Sequence, residues 1–188
     1  VITAGFGQVA VTGNSGNATG GSSGDSMEAY SIATVPVDGL TLSASYYDKN
    51  DYDDGLTNET QLEEGGSYAA KYSMGNFTVG YGKSFKAPET LEANRGNGGT
   101  TVEYYENTGV SVGFAVNDEL SVSYTTEDST AHQRTSSNTV YDIEMNSIQA
   151  AYSLGGATLS IARADYDNIG YVDGTDASET IIAINFAF

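Results

Sequence analysis

The stretch Ser147-Ile148-Gln149-Ala150-Ala151-Tyr152-Ser153-Leu154-Gly155-Gly156-Ala157-Thr158-Leu159-Ser160-Ile161 decides the fold. Before the glycine pair, Ile148, Ala150, Tyr152 and Leu154 alternate with Ser147, Gln149, Ala151 and Ser153. After it, Leu159 and Ile161 alternate with Thr158, Ser160 and Ala162. A period of two residues is that of a β-strand with two unlike faces. Gly155-Gly156 supplies the backbone freedom that a two-residue hairpin turn needs. The stretch is therefore a β-hairpin with one apolar face and one face of small polar residues.

The same alternation runs through the chain. Leu40, Leu42, Ala44 and Tyr46 alternate with Thr41, Ser43, Ser45 and Tyr47, and Val110, Val112 and Phe114 with Ser111 and Gly113. Strands are predicted near 1–12, 27–35, 40–49, 67–74, 77–85, 104–116, 120–128, 141–154, 157–166 and 179–188, ten in all. Near 141–154 the apolar phase slips from Tyr141, Ile143 and Met145 to Ile148, which predicts a β-bulge. A hairpin period of about 40 residues also suits a propeller, but a propeller blade needs four strands per period and only two are found.

The connections are polarised. Pro36-Val37-Asp38-Gly39, Gly75-Asn76, Asn117-Asp118-Glu119 and Gly155-Gly156 are tight turns, while long polar segments lie near 13–25, 50–66, 86–102, 129–140 and 167–178. Tight and long connections alternate, so an antiparallel meander collects all tight turns at one end. The second face carries Ser, Thr, Gly and Ala with few charges, where a soluble sheet facing water carries more Lys and Glu. Together these features predict an all-β chain: an antiparallel transmembrane β-barrel, with short periplasmic turns and long extracellular loops. The 188 residues form one barrel domain or part of one.

Composition narrows the function. With 25 acidic against 7 basic residues the formal charge is −18, which excludes nucleic-acid binding through phosphate contacts. The absence of cysteine excludes disulfides, Cys-ligated zinc and thiol nucleophiles. An apolar fraction of 39% is low for a thick soluble core, and 14 Tyr with 6 Phe argue against disorder. No stretch reaches the ~20 apolar residues of a membrane helix. Val1-Ile2-Thr3-Ala4-Gly5-Phe6 reads as a strand rather than a leader, so a mature N-terminus or an internal cut is expected.

The last segment, Glu179-Thr180-Ile181-Ile182-Ala183-Ile184-Asn185-Phe186-Ala187-Phe188, resembles the C-terminal strand of Gram-negative outer-membrane porins. The hairpin at 147–161 and Tyr72-Ser73-Met74-Gly75-Asn76-Phe77-Thr78-Val79-Gly80-Tyr81-Gly82 are similar to porin hairpins. The resemblance implies a bacterial outer-membrane location and passive diffusion of small hydrophilic solutes. It implies contact with outer-membrane lipid and lipopolysaccharide, and a homotrimer. It also makes Ile182, Ile184, Phe186 and Phe188 the signal read by the barrel-assembly machinery. Porins of this family usually have sixteen strands, so ten imply the C-terminal part of such a barrel or a complete smaller one. The family's constriction loop lies in the earlier half. The nearest local candidate, Lys86 to Arg95, carries Pro88 and Glu89 as a short-helix start, and is read as an outward surface loop.

The candidate site residues follow from the phase. Ser43, Ser45, Lys71, Ser111, Ser123, Gln149 and Asn185 are predicted to face the lumen. Tyr46, Tyr47, Tyr72, Tyr81, Tyr124, Tyr152 and Phe188 suit aromatic girdles. Lys83 and Arg163 fall on the apolar phase, where they either snorkel to the interface or are turned inward by a bulge. No cofactor is expected. Asp51, Asp53 and Asp54 are candidate ligands for Ca²⁺ or Mg²⁺, although Tyr52 occupies a ligand position of the EF-hand pattern counted back from Gly55, and solvated acidic loops are the simpler reading. Either way the acidic field predicts cation preference. His132 is read as an exposed loop histidine and the protein as no enzyme, since no paired motif accompanies that histidine. The competing classes are a soluble secreted or surface β-protein of adhesin type, and a pore-less outer-membrane barrel used for adhesion.

Overall fold

The computed structural model describes residues 2–12, 24–50, 59–88, 90–91, 102–134 and 141–186. Twelve strands follow in chain order: β1 (Ile2–Thr12), β2 (Gly24–Val37), β3 (Leu40–Asn50), β4 (Glu59–Gln61), β5 (Glu64–Met74), β6 (Phe77–Ala87), β7 (Thr90–Leu91), β8 (Val102–Ala115), β9 (Leu120–Gln133), β10 (Ile143–Leu154), β11 (Ala157–Asp167) and β12 (Ala177–Phe186). Ten of them form one antiparallel sheet in the order β1-β2-β3-β5-β6-β8-β9-β10-β11-β12. The sheet is open: among the described residues β1 pairs only with β2, and β12 only with β11. Every sheet neighbour is the next long strand along the chain, so the topology is a plain meander with no crossover.

Tight turns close one end. Gly75 and Gly155 each take the first central position of a two-residue turn with positive φ, 57° and 60°. A side chain at either would meet nothing within 4 Å, so the need for glycine there is a matter of backbone alone. Between β8 and β9, the Asn117 side-chain oxygen accepts from the backbone N–H of Glu119 at 2.9 Å and of Leu120 at 2.7 Å, which fixes that turn.

The long connections at the other end have structure of their own. β4 and β7 pair antiparallel as a separate two-stranded ribbon. Thr90 and Leu91 are thus strand residues rather than the start of a helix. Gln61 Nε2 donates to the carbonyls of Pro88 (2.7 Å) and Glu103 (2.8 Å), and Arg134 donates to Gln61 Oε1. One glutamine therefore ties together the connections that follow β3, β6 and β9.

The bulge predicted in β10 is not there. Ile143 to Tyr152 pair with β9, and Glu144 to Leu154 with β11, in unbroken register. Ile143 and Met145 instead lie on the small-residue face, half-buried. Their neighbours across the sheet at that end explain the phase change, as shown below.

Among the described residues there is no central hydrophobic core, and the only buried apolar side chains are Ala87, Val102, Ala131 and Ala164. The large apolar residues are on the outside: Ile148 is 62% exposed, Leu154 70% and Ile184 59%.

Candidate functional site

Strand register sorts the side chains onto two faces, since residues paired across the sheet point the same way and alternate along each strand. The apolar face carries Leu40, Leu42, Ala44 and Tyr46 of β3 opposite Tyr72, Ala70 and Tyr68 of β5, and continues to Leu159, Ile161, Ile182 and Ile184. The small-residue face carries Ser43, Ser45, Lys71, Ser111, Ser123, Gln149 and Asn185, so all seven predicted lumen residues share one face. Among the described residues Lys71 has no ion-pair partner, and it stands opposite Thr41 and Gly80.

That face is open near the tight-turn end. A concavity of about 460 Å³ spans β6 to β12, with Thr78, Ser121, Gln149, Ser160 and Ala183 among its walls. Short hydroxyl pairs join neighbouring strands beside two of the tight turns on this face, Ser73 to Thr78 at 3.0 Å and Ser153 to Thr158 at 3.2 Å. Toward the long-connection end the same face becomes bulky, with Tyr47, Tyr105, Ile143, Met145 and Tyr166 in place of Gly, Ala and Ser. Tyr47 therefore stands on the face opposite to Tyr46, Tyr72, Tyr81, Tyr124 and Tyr152, with which the sequence grouped it. Its hydroxyl donates to Glu63 at 3.1 Å, and Lys86 lies 3.0 Å from the same carboxylate. That lysine holds the Glu63 carboxyl below the usual glutamate range, and Glu63 in turn raises Lys86.

The apolar face carries no charge over a broad band. Moving from the tight-turn end toward the long connections, the first charge met is Asp48 on β3, Glu64 on β5, Lys83 on β6, Glu106 on β8, Asp128 on β9, Glu144 on β10 and Arg163 on β11. This boundary crosses the sheet obliquely. The pairing row through Leu40 runs by Tyr72, Val79, Val112, Tyr124 and Ile148 to Arg163. Asp48 stands eight residues along β3 from that row, whereas Arg163 stands on it. The boundary thus falls about 26 Å along the strands over six strand spacings of about 4.8 Å, an angle of roughly 42°. The tight turns fall in step: Leu40 ends β3 on the row, and Ala157 begins β11 six residues beyond it. That edge gives roughly 35° by the same spacings. The uncharged band is therefore a slab six to ten residues deep along each strand, crossed by strands inclined ~35–42° to its normal.

Tyrosines mark the upper edge of the slab. Tyr30 donates to Glu28 at 2.9 Å, Tyr46 to Glu64 at 2.8 Å and Tyr124 to Asn146 at 2.6 Å, each ring lying on the apolar side and each hydroxyl on the charged side. Tyr72, Tyr81 and Tyr152 also lie on this face and are more than 40% exposed. Lys83 and Arg163 stay on the apolar face with no bulge, at the boundary. Lys83 pairs with Glu106 at 2.8 Å, and Arg163 with Asp165 at 2.8 Å.

Ile182, Ile184 and Phe186 lie exposed on the apolar face of β12. Phe188 lies outside the described residues, as do Asp51, Asp53 and Asp54. Among the described residues no group of three His, Asp or Glu side chains is arranged to hold a metal ion. His132 is not a loop residue. It belongs to β9 and stacks on Tyr104 with ring centroids 4.1 Å apart, and its Nε2 is buried without a partner among the described residues.

Two features escaped the sequence reading. Gln61 has no motif to announce it, because its partners are backbone carbonyls of distant segments. Tyr171 lies in a connection read only as polar, and folds over the small-residue face. The Asn168-Ile169-Gly170-Tyr171 run, rich in residues that tolerate positive φ, is the one signal that marks a built turn there.

No family model matches the chain, and no curated protein matches it. The functional reading therefore rests on the geometry.

Proposed function

We propose that this sheet is the wall of an outer-membrane β-barrel of porin type, a passive channel for small hydrophilic solutes with a preference for cations. The observation that carries the reading is the oblique uncharged slab. A soluble sheet has no reason to keep its charge boundary and its turn edge parallel to each other and inclined to the strands. A bilayer supplies that reason, because its hydrocarbon slab is flat and the strands of membrane barrels cross it at about 35–45°. The inclination of ~35–42° drawn from the side chains falls in that range.

Energetics point the same way. Exposed apolar surface costs roughly 25 cal/mol per Å² in water, and contiguous patches of this breadth are covered in stable proteins. Lipid covers it here. The two open edges, β1 and β12, then close on each other or through further strands, since an unpaired edge is not tolerated in hydrocarbon. β1 starts and β12 ends at the tight-turn end, so they run antiparallel, as closure requires.

In this reading the small-residue face is the wet lumen. Solutes pass without binding chemistry, at a rate set by width and field. The excess of 25 acidic over 7 basic residues gathers cations at the mouth.

The test is single-channel conductance of the natively extracted protein in a planar bilayer under a KCl gradient. Discrete steps with a cation-biased reversal potential support the reading. Silence from folded, inserted protein rejects the open channel and leaves a pore-less barrel; an anion-biased potential rejects the role of the acidic field.

A further inference from the structure

We infer that Tyr171 forms the constriction of this channel and sets the size of solute it admits, an inference that rests on the channel reading above. The connection between β11 and β12 does not leave the sheet toward solvent. After β11 the chain makes one 3₁₀ turn, Ile169–Tyr171, which folds back over the small-residue face. The Tyr171 ring lies 5.6 Å from that of Tyr105 on β8, and its hydroxyl lies 2.9 Å from Ser129 Oγ on β9. The Tyr171 carbonyl accepts from the Tyr141 N–H at 3.5 Å, just before β10, and the side chain reaches on from there over β9 to β8.

The turn is a fixed object. Asn168 Nδ2 donates to the Asp142 carbonyl at 3.0 Å, and the Ile169 N–H to the Thr175 carbonyl at 2.7 Å. The Gly174 N–H donates to Asn168 Oδ1 at 3.2 Å. Asn168 and Tyr171 both hold positive φ, 57° and 64°. For a tyrosine that conformation is costly, and such outliers persist where surrounding contacts over-determine them. Here the Tyr105 ring and the Ser129 hydroxyl do so.

The wall beneath explains the position. Below this level the face presents Gly82, Gly109 and Gly113, where an added Cβ would meet only ordinary contacts, and Gly80, held against the Ser111 hydroxyl. At the level of Tyr171 it presents Tyr105 and Ile143, so strand residues and turn narrow the same section. That also gives the phase change in β10 its reason: Ile143 pairs with Ser129, the residue that receives the Tyr171 hydroxyl. The solutes admitted are then small and selected by size, within a field to which Lys86, paired with Tyr105, and Glu127, paired with Met145, contribute on the same face.

The experiment compares the natively extracted full chain with Tyr171→Ala, Tyr171→Cys and Val172→Ala in planar bilayers. Conductance is read together with exclusion of polyethylene glycols of graded size. Val172 is 56% exposed on the same segment and serves as the control. The chain has no cysteine, so a methanethiosulfonate reagent reports on position 171 alone. The inference expects Tyr171→Ala and Tyr171→Cys to raise conductance about 1.5-fold or more and to admit larger polymers. A bulky thiol adduct should reverse the gain, and reduction should restore it. A silent parent with a conducting Tyr171→Ala overturns the size-setting role, since a closed parent admits no solute. A conducting parent whose variants match it overturns the inference and leaves the channel standing. Silence from parent and variants alike, with protein confirmed folded and inserted, overturns both.

Discussion

Val112 and Ser111 are neighbours on β8 and face opposite ways: Val112 pairs with Val79 and Tyr124 on the uncharged slab, Ser111 with Gly80 and Thr125 on the small-residue face. In a bilayer the two positions differ in solvent although they are one residue apart. Val112→Arg should cost about 2–4 kcal/mol, because Val112 sits near the middle of the slab, whereas Ser111→Arg should cost under about 1 kcal/mol. Urea unfolding of the two variants in phospholipid vesicles measures the difference. Equal costs would remove the distinction between the faces.

Gly39 and Gly75 separate two reasons for a glycine. Both hold positive φ, but a Cβ at Gly39 would overlap the Ser73 carbonyl oxygen, whereas at Gly75 it meets nothing. Gly75→Ala should cost about 1–2 kcal/mol from backbone conformation alone. Gly39→Ala should cost clearly more, since the carbonyl belongs to the paired strand and cannot give way. Thermal or denaturant unfolding of both variants side by side checks the order.

The Glu63–Lys86 pair gives a pH dependence with a defined sign. Glu63 is depressed in the folded chain, chiefly by its hydrogen bond with Lys86, so its contribution is present above the ordinary glutamate range. It is lost as pH falls through the depressed value, below the ordinary glutamate range. Lys86 is raised, chiefly by Glu63, so its contribution is present up to the ordinary lysine range and lost as pH rises through the raised value. The side chains are 54% and 34% exposed, which limits the whole effect to under about 1 kcal/mol. Comparing parent with Glu63→Gln across pH should show the difference vanish at low pH. A difference that does not shrink as pH falls below the ordinary glutamate range would contradict the assignment.

Gln61 joins three long connections, and its loss should be felt locally. Gln61→Ala removes the donors to Pro88 and Glu103 and the acceptor for Arg134. These partners are half-buried or exposed, so each lost bond costs about 0.5–1.5 kcal/mol. Hydrogen exchange should quicken at residues 102–104 and 131–134, and stay unchanged at the tight turns.

Much of this was readable in the amino acids. Alternation at Leu40 to Tyr46 and at Ile148 to Leu154 gave the strands and both faces, because a one-residue slip would turn every side chain over. The order of tight and long connections gave the meander. What alternation could not give was anything made by distant segments meeting. Ile143 and Met145 looked like a bulge because the segments that meet their face, Ser129 on β9 and Tyr171 beyond β11, lie about 15 and 27 residues away in the chain. His132 looked exposed because nothing in its own neighbourhood announces Tyr104. Tyr47 is a different case: its odd phase relative to Tyr46 already placed it on the small-residue face, and only the expectation of a girdle obscured that.

The slope of the charge boundary was equally hidden. Asp48 and Arg163 are unremarkable until the strand register puts them on one edge.

The central claim, that one face of the sheet meets lipid and the other water, is tested most directly by single-cysteine spin labelling along β8 from Thr108 to Ala115, in protein reconstituted into phospholipid vesicles. The account predicts that labels at 110, 112 and 114 relax with oxygen and those at 109, 111 and 113 with a water-soluble nickel chelate, alternating residue by residue. Chelate access at all six positions would contradict it, and would make the sheet a water-exposed surface.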